Sequence, residues 1–127
     1  MKIITSRIHG VLDYLISIVM LASPWLFHFN ETRIAKGLML TIASFQLFMS
    51  FFTNYELGLR KAFSFRAHLT TDIILGIVLI LSPWLFNFSN QVRVPHVVMG
   101  AIILVSAMIT DPVPEYMKRT SGPVPPH

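Results

Sequence analysis

Four apolar stretches separated by short polar breaks organise the chain: about Ile8 to Phe29, Ile34 to Phe52, Ala67 to Phe88 and Val94 to Ile109. The hydrocarbon core of a bilayer, ~30 Å thick, is crossed by about 20 predominantly apolar helical residues, with ~17–25 as the working range. The first three stretches fit that range and the fourth lies at its short end. A soluble four-helix bundle would carry polar residues on the outer half of each helix. Leu15 to Leu21 and Ile73 to Leu81 are instead apolar nearly all the way round, so the pattern predicts lipid as the outer solvent. The expected fold class is all-α, with four transmembrane helices in a single membrane domain over residues 1–127.

Composition sharpens this picture. Hydrophobic residues make up 54% of the 127 and charged residues only 13%, against roughly 25% charged in an average soluble domain. Cysteine is absent, which removes disulfides, thiol chemistry and Cys-ligated metals or clusters. The net charge of +4 suggests nucleic-acid binding at first, but basic residues in so apolar a chain flank membrane segments, and no aromatic–basic interleaving for nucleic acid is present. Met1-Lys2 before an apolar run resembles a secretory signal. The same pattern recurs mid-chain, so the first segment is expected to be a retained helix. With four spans, Lys2, Arg7, Arg60, Lys61, Arg66, Lys118 and Arg119 fall on one side and Arg33, Lys36 and Arg93 on the other. The positive-inside rule then puts both termini in the cytoplasm, with the chain in a plasma membrane. Residues 112–127, with Pro112, Pro114, Pro123, Pro125 and Pro126, are expected to be an extended, solvated tail without a helix.

A repeat at an offset of 59 dominates the motif content. Arg7, His9 and Asp13 recur as Arg66, His68 and Asp72, and Ser23-Pro24-Trp25-Leu26-Phe27 recurs as Ser82-Pro83-Trp84-Leu85-Phe86, with Phe29 answered by Phe88. The second halves match loosely: Ile34 with Val94, Met39 with Met99, and Thr53-Asn54 echoed by Thr110-Asp111. Repeat 1 covers about 7–54 and repeat 2 about 66–111, each a two-helix hairpin. An even number of spans per repeat orients both copies alike, related by a pseudo-twofold axis along the membrane normal. This doubled pattern resembles the SPW-repeat family of small integral membrane proteins. The resemblance implies a multi-pass bacterial-type membrane protein and brings no established activity or catalytic residues.

Proline lacks an amide hydrogen and disfavours helix at the residue before it, while Trp favours the headgroup interface. Ser23-Pro24-Trp25 and Ser82-Pro83-Trp84 are therefore expected to end or bend their helices at the outer interface. Each serine hydroxyl would satisfy a carbonyl freed near the proline, and Phe27, Phe29, Phe86 and Phe88 would extend an aromatic belt. His9/Asp13 and His68/Asp72 are spaced i, i+4 and so share a helix face. A carboxylate in the apolar zone costs up to ~2.5–3.5 kcal/mol at the midplane on insertion scales, so both pairs should face the bundle interior.

Three readings remain open for this layer of Arg7, His9, Asp13, Arg66, His68 and Asp72. It is structural, with Arg7–Asp13 and Arg66–Asp72 contacts and histidines bridging the repeats. It is a proton or ion path. Or His9, His68, Asp13 and Asp72 hold a divalent metal, or His9 and His68 ligate haem. Gln46 is expected to bond a neighbouring helix. Gly37, Gly76, Gly100 and Ala101 suit close helix packing; His28, His96 and Lys36 fall at the outer interface. The expected function is a non-enzymatic structural or accessory membrane component without a cofactor, in contact with lipid and with a second copy or a membrane-protein partner, and not with nucleic acid.

Overall fold

The computed structural model describes residues 2–120, and every named element within them is a helix. In chain order these are α1 (Ser6–Leu26), α2 (Arg33–Phe51), α3 (Phe65–Leu85), α4 (Val94–Ile109) and a short α5 (Glu115–Thr120). α1, α2 and α3 are long and apolar enough to cross a membrane. α4, with 16 residues, spans only ~24 Å at ~1.5 Å per residue. α1 and α3 begin about two residues before the apolar stretches do, because Thr5 and Ser64 supply side-chain caps: their hydroxyls accept from the amides of Ile8 and Ala67.

Both helices also end alike, and the Ser-Pro-Trp-Leu-Phe-x-Phe string explains how. Pro24 and Pro83 cannot donate to the carbonyls four residues back, those of Met20 and Leu79. The Ser23 and Ser82 hydroxyls donate to these same carbonyls at 2.8 Å each. One turn later the x residues, His28 and Asn87, adopt left-handed φ of 58° and 57°. The amides of Phe29 and Phe88 then reach back to the carbonyls of Pro24 and Pro83 at 2.8 Å, the six-to-one bond of a Schellman cap. Trp25, Leu26, Phe27, Trp84, Leu85 and Phe86 are exposed, as an interfacial belt requires, but Phe29 and Phe88 are buried. The expectation that these last two belong to the belt is corrected: the cap turns them inward.

Within each hairpin the helices pack side by side, and between hairpins α1 meets α4 and α2 meets α3. α1 and α3 therefore stand on one diagonal of a square. Contacts between halves come in exchanged pairs. Ile4 bridges Thr110 as Phe63 bridges Thr53, and position 63 is 59 beyond position 4. Reciprocal contact of this kind is what a pseudo-twofold relation produces. α3 and α4 approach closely at Gly76 and Gly100, where an added Cβ would lie 2.9 and 2.7 Å from the other glycine's carbonyl oxygen. Gly37 has open space around it, so its expected role in close packing within the bundle is corrected.

Polarity is inverted relative to a soluble bundle. Ile8, Val11, Leu15, Ile18, Ile74, Ile77, Leu81, Val98, Ile102 and Val105 are exposed, whereas Ser6, His9, Asp13, Ser17, Gln46, Ser50, His68, Asp72, Ser106 and Thr110 are buried. The chain is a membrane protein. Its interior divides into a polar half near the start of α1 and α3 and an apolar half, with Met20, Met39, Leu79 and Ile103 fully buried, toward the Ser-Pro-Trp end.

The expected helix-free tail is also corrected. Pro114 is buried immediately before α5, where its fixed φ suits a helix start, and Glu115 in the first turn with Lys118 and Arg119 in the last complement the helix dipole. Pro123, Pro125 and Pro126 lie outside the described residues.

Candidate functional site

The i, i+4 spacing brings His9 and Asp13 onto the inner face of α1, and His68 and Asp72 onto that of α3. Across the bundle's diagonal these four side chains close a ring. His68 Nε2 lies 2.7 Å from Asp13 Oδ2 and 3.2 Å from Asp72 Oδ2; His9 Nε2 lies 3.0 Å from Asp72 Oδ2 and 3.1 Å from Asp13 Oδ2. Each imidazole thus bonds the carboxylate of the other repeat more closely than that of its own helix. All four residues are buried, none more than 2% exposed.

A second set of residues fixes the imidazoles. The Thr53 hydroxyl, at the end of α2, lies 2.8 Å from His68 Nδ1, and the Thr110 hydroxyl, at the end of α4, lies 2.9 Å from His9 Nδ1. Both hydroxyls donate to the carbonyl one turn back, of Met49 and Ser106 respectively. With that hydrogen committed, each threonine oxygen is left to accept, so Nδ1 carries a hydrogen for it, while Nε2, turned to carboxylates that only accept, donates a second hydrogen to them in the metal-free ring. Ser106 Oγ, 3.0 Å from His9 Nδ1, shares that hydrogen. Gln46 donates to Asp13 Oδ1 at 3.3 Å, the interhelical bond expected of it. Asp72 Oδ1 has no hydrogen-bond partner. The sequence hinted at the threonines only through the echo of Thr53-Asn54 by Thr110-Asp111.

Arg7 and Arg66 do not join the ring. Both are exposed, and Arg7 Nε lies 4.0 Å from Glu115 Oε2. The expected Arg7–Asp13 and Arg66–Asp72 contacts are corrected: an arginine at the second position of its helix reaches water more readily than a desolvated carboxylate two turns inward, and the histidines already occupy the carboxylates. At the other end, His96 is corrected from an interfacial position to a fully buried one. Its ring sits between Phe29 and Phe88, with centroids 5.2 and 4.8 Å away, and Nε2 lies 3.0 Å from the Ala35 carbonyl. His28 is exposed.

The ring is roofed by aromatic residues and then by a polar clasp. Phe65 and Tyr55 stack at 5.4 Å and lie against the imidazoles, Phe65 at 5.7 Å from His9 and Tyr55 at 5.8 Å from His68. Outside them, Glu56 accepts from the Ser6 hydroxyl at 2.6 Å and from the Tyr116 amide at 2.7 Å, and the Glu115 amide donates to Ser6 at 2.9 Å. Burial works against the charge of Glu56, but the bonds from Ser6 and the backbone hold its carboxyl below the usual glutamate range. None of this clasp was visible in the sequence.

No curated protein and no solved structure shows a significant match to the chain. A family model described as the SPW repeat domain matches residues 7–110, and the chain with its two Ser-Pro-Trp helix ends belongs to that family.

Proposed function

We propose that the protein is a non-enzymatic, four-span component of the bacterial inner membrane, built from a duplicated hairpin whose two copies are locked together by the His–Asp ring. The observation that carries this reading is the inverted polarity: apolar side chains outside, and inside a polar ring whose bonds run between repeats. In lipid no hydrophobic force drives helix against helix, so interhelical hydrogen bonds and close packing must hold a bundle together. Positions 59 apart take matching places in the caps, the helix ends, the ring and the bridging contacts, which supports duplication. The end with the clasp carries seven of the ten Lys and Arg residues, which supports cytoplasmic termini. A second copy or another membrane protein is the proposed partner; the exposed α2 face around Gly37, Phe45 and Phe48 is free to receive it.

A conduit through the single bundle fits the geometry less well. Ser17 Oγ and Gln46 Oε1 are buried without hydrogen-bond partners, yet the polar interior stops at the apolar half around Met20, Met39, Leu79 and Ile103. Haem also fits poorly, because the two carboxylates fill the space between the imidazoles where a porphyrin would lie. The test is membrane retention together with topology. The expected result is full retention after alkaline carbonate washing and a C-terminal reporter active only in the cytoplasm. Release of the chain by the wash, or a periplasmic reporter signal, would overturn the reading.

A further inference from the structure

The ring contains more than a cross-link requires. His9, Asp13, His68 and Asp72 each offer one donor atom, and these four atoms lie within 4.8 Å of one another. The four nitrogen–oxygen edges run from 2.7 to 3.2 Å. Zinc-class ions bind imidazole nitrogen and carboxylate oxygen at ~2.0–2.2 Å in a tetrahedron, whose ligand–ligand edges are then roughly 3.3–3.6 Å. Lengthening the edges by ~0.1–0.9 Å, most of all the shortest one between His68 and Asp13, reaches that size. The second ring nitrogens are arranged as such a site needs: a ligating histidine donates its other N–H to a fixed acceptor, which sets its tautomer and aim. Thr53 and Thr110 are those acceptors here, each locked by its own bond to a backbone carbonyl. Charge also closes, since the ion would displace the two Nε2 hydrogens to solvent and leave two carboxylates and two neutral imidazoles to balance one divalent cation in a buried place that tolerates no net charge. Asp72 Oδ1, fully buried and without a partner, remains for a second bond to the ion or a bound water.

From these observations we infer that His9, Asp13, His68 and Asp72 form a tetrahedral site for one zinc-class divalent transition-metal ion, shared between the two repeats. Mixed nitrogen and oxygen donors favour Zn2+ and Co2+ over Mg2+ and Ca2+, which prefer oxygen and higher coordination. The inference rests on the ring described under the proposed function and adds an occupant to it.

The test uses the full chain purified in detergent with a histidine-free tag, stripped with chelator and titrated with Zn2+ and with Co2+ as a spectroscopic probe. The expected results are one ion per chain, intense visible bands of tetrahedral Co2+, displacement by Zn2+, and no competition from excess Mg2+ or Ca2+. Thr53→Val and Thr110→Val keep all four donors and remove the acceptors, so each should weaken Zn2+ binding about 10–100-fold. Asp13→Asn and His68→Gln should weaken it further, and Glu31→Gln, on an exposed loop, should leave it unchanged. A folded wild-type chain that binds no Co2+ in tetrahedral form would overturn the inference, as would binding that survives unchanged in Thr53→Val and Asp13→Asn. If the wild type binds no metal while Asp13→Asn still loosens the metal-free bundle, the cross-link stands and the metal site falls. If metal binds but the stripped Asp13→Asn bundle is as stable as wild type, the locking role falls instead.

Discussion

Replacing Asp13 by asparagine in the metal-stripped protein isolates the ring's contribution to holding the repeats together. Asp13 takes three bonds: from His68 at 2.7 Å, from His9 at 3.1 Å and from Gln46 at 3.3 Å. Interhelical hydrogen bonds in membrane proteins average ~0.6 kcal/mol and reach about 1.7, so three sum to roughly 2–5 kcal/mol. Asparagine keeps one acceptor oxygen but puts an amide hydrogen and no charge against the imidazoles. The expected loss is therefore about 2–3 kcal/mol, read as reversible unfolding in mixed micelles with excess chelator. Asp72→Asn should cost a similar amount. Because both carboxylates face the same two imidazoles, the losses should not add. Once one is gone the ring is already open, and the double variant should fall short of the sum by about 0.5–3 kcal/mol, as for residues sharing one network. A loss below about 0.5 kcal/mol for either single variant, the size of an ordinary surface substitution, would refute the reasoning, and so would strict additivity.

Three further outcomes follow from the packing, the motif and the clasp. Gly100→Ala puts a Cβ 2.7 Å from the Gly76 carbonyl oxygen and should cost about 1–3 kcal/mol by overpacking, whereas Gly37→Ala, in open space, should leave unfolding of the isolated chain unharmed. Ser23→Ala strands the Met20 carbonyl and should cost about 1–3 kcal/mol. In a Pro24→Ala background, where the position regains its amide hydrogen, the same change should be nearly silent, and an equal cost in both backgrounds would refute the account of the motif. The clasp should respond to pH through Glu56, whose carboxyl is held below its ordinary range. A depressed acid stabilises the clasp above its unfolded pKa and loses that contribution as pH falls through the folded value. Exchange at the Tyr116 amide, corrected for the intrinsic rate, should accelerate on acidification into that range and be fast at neutral pH in Glu56→Gln.

The apolar stretches, the duplicated motif and the inward histidines and carboxylates were legible because each depends on local spacing. Length and hydropathy give a span, and i, i+4 gives a shared face. Which partner a side chain meets across the bundle is a tertiary matter. Arg7 and Arg66 are near Asp13 and Asp72 in sequence, but the carboxylates are taken by histidines some sixty residues away, a pairing that needs the diagonal placement of α1 and α3. His96 occupies the slot of Lys36 in repeat 1, so the repeat gave no reason to bury it; the turn that brings Phe29 and Phe88 inward does. The clasp was hidden for another reason. Pro112 and Pro114 signal extended chain, yet a proline just ahead of Glu115 also starts a helix, and Tyr116 finds a partner only once Glu56 has been folded beneath it.

The most direct test of the central claim is whether each imidazole pairs with the carboxylate of the opposite repeat. Nuclear magnetic resonance of the chain in micelles, with labelled histidine nitrogens and aspartate carboxyl carbons, reads these pairs as through-space correlations. The account predicts contacts between His68 and Asp13 and between His9 and Asp72, each lost when the corresponding aspartate is replaced. Correlations confined to His9 with Asp13 and His68 with Asp72 would mean two separate helical pairs and no ring, and would contradict it.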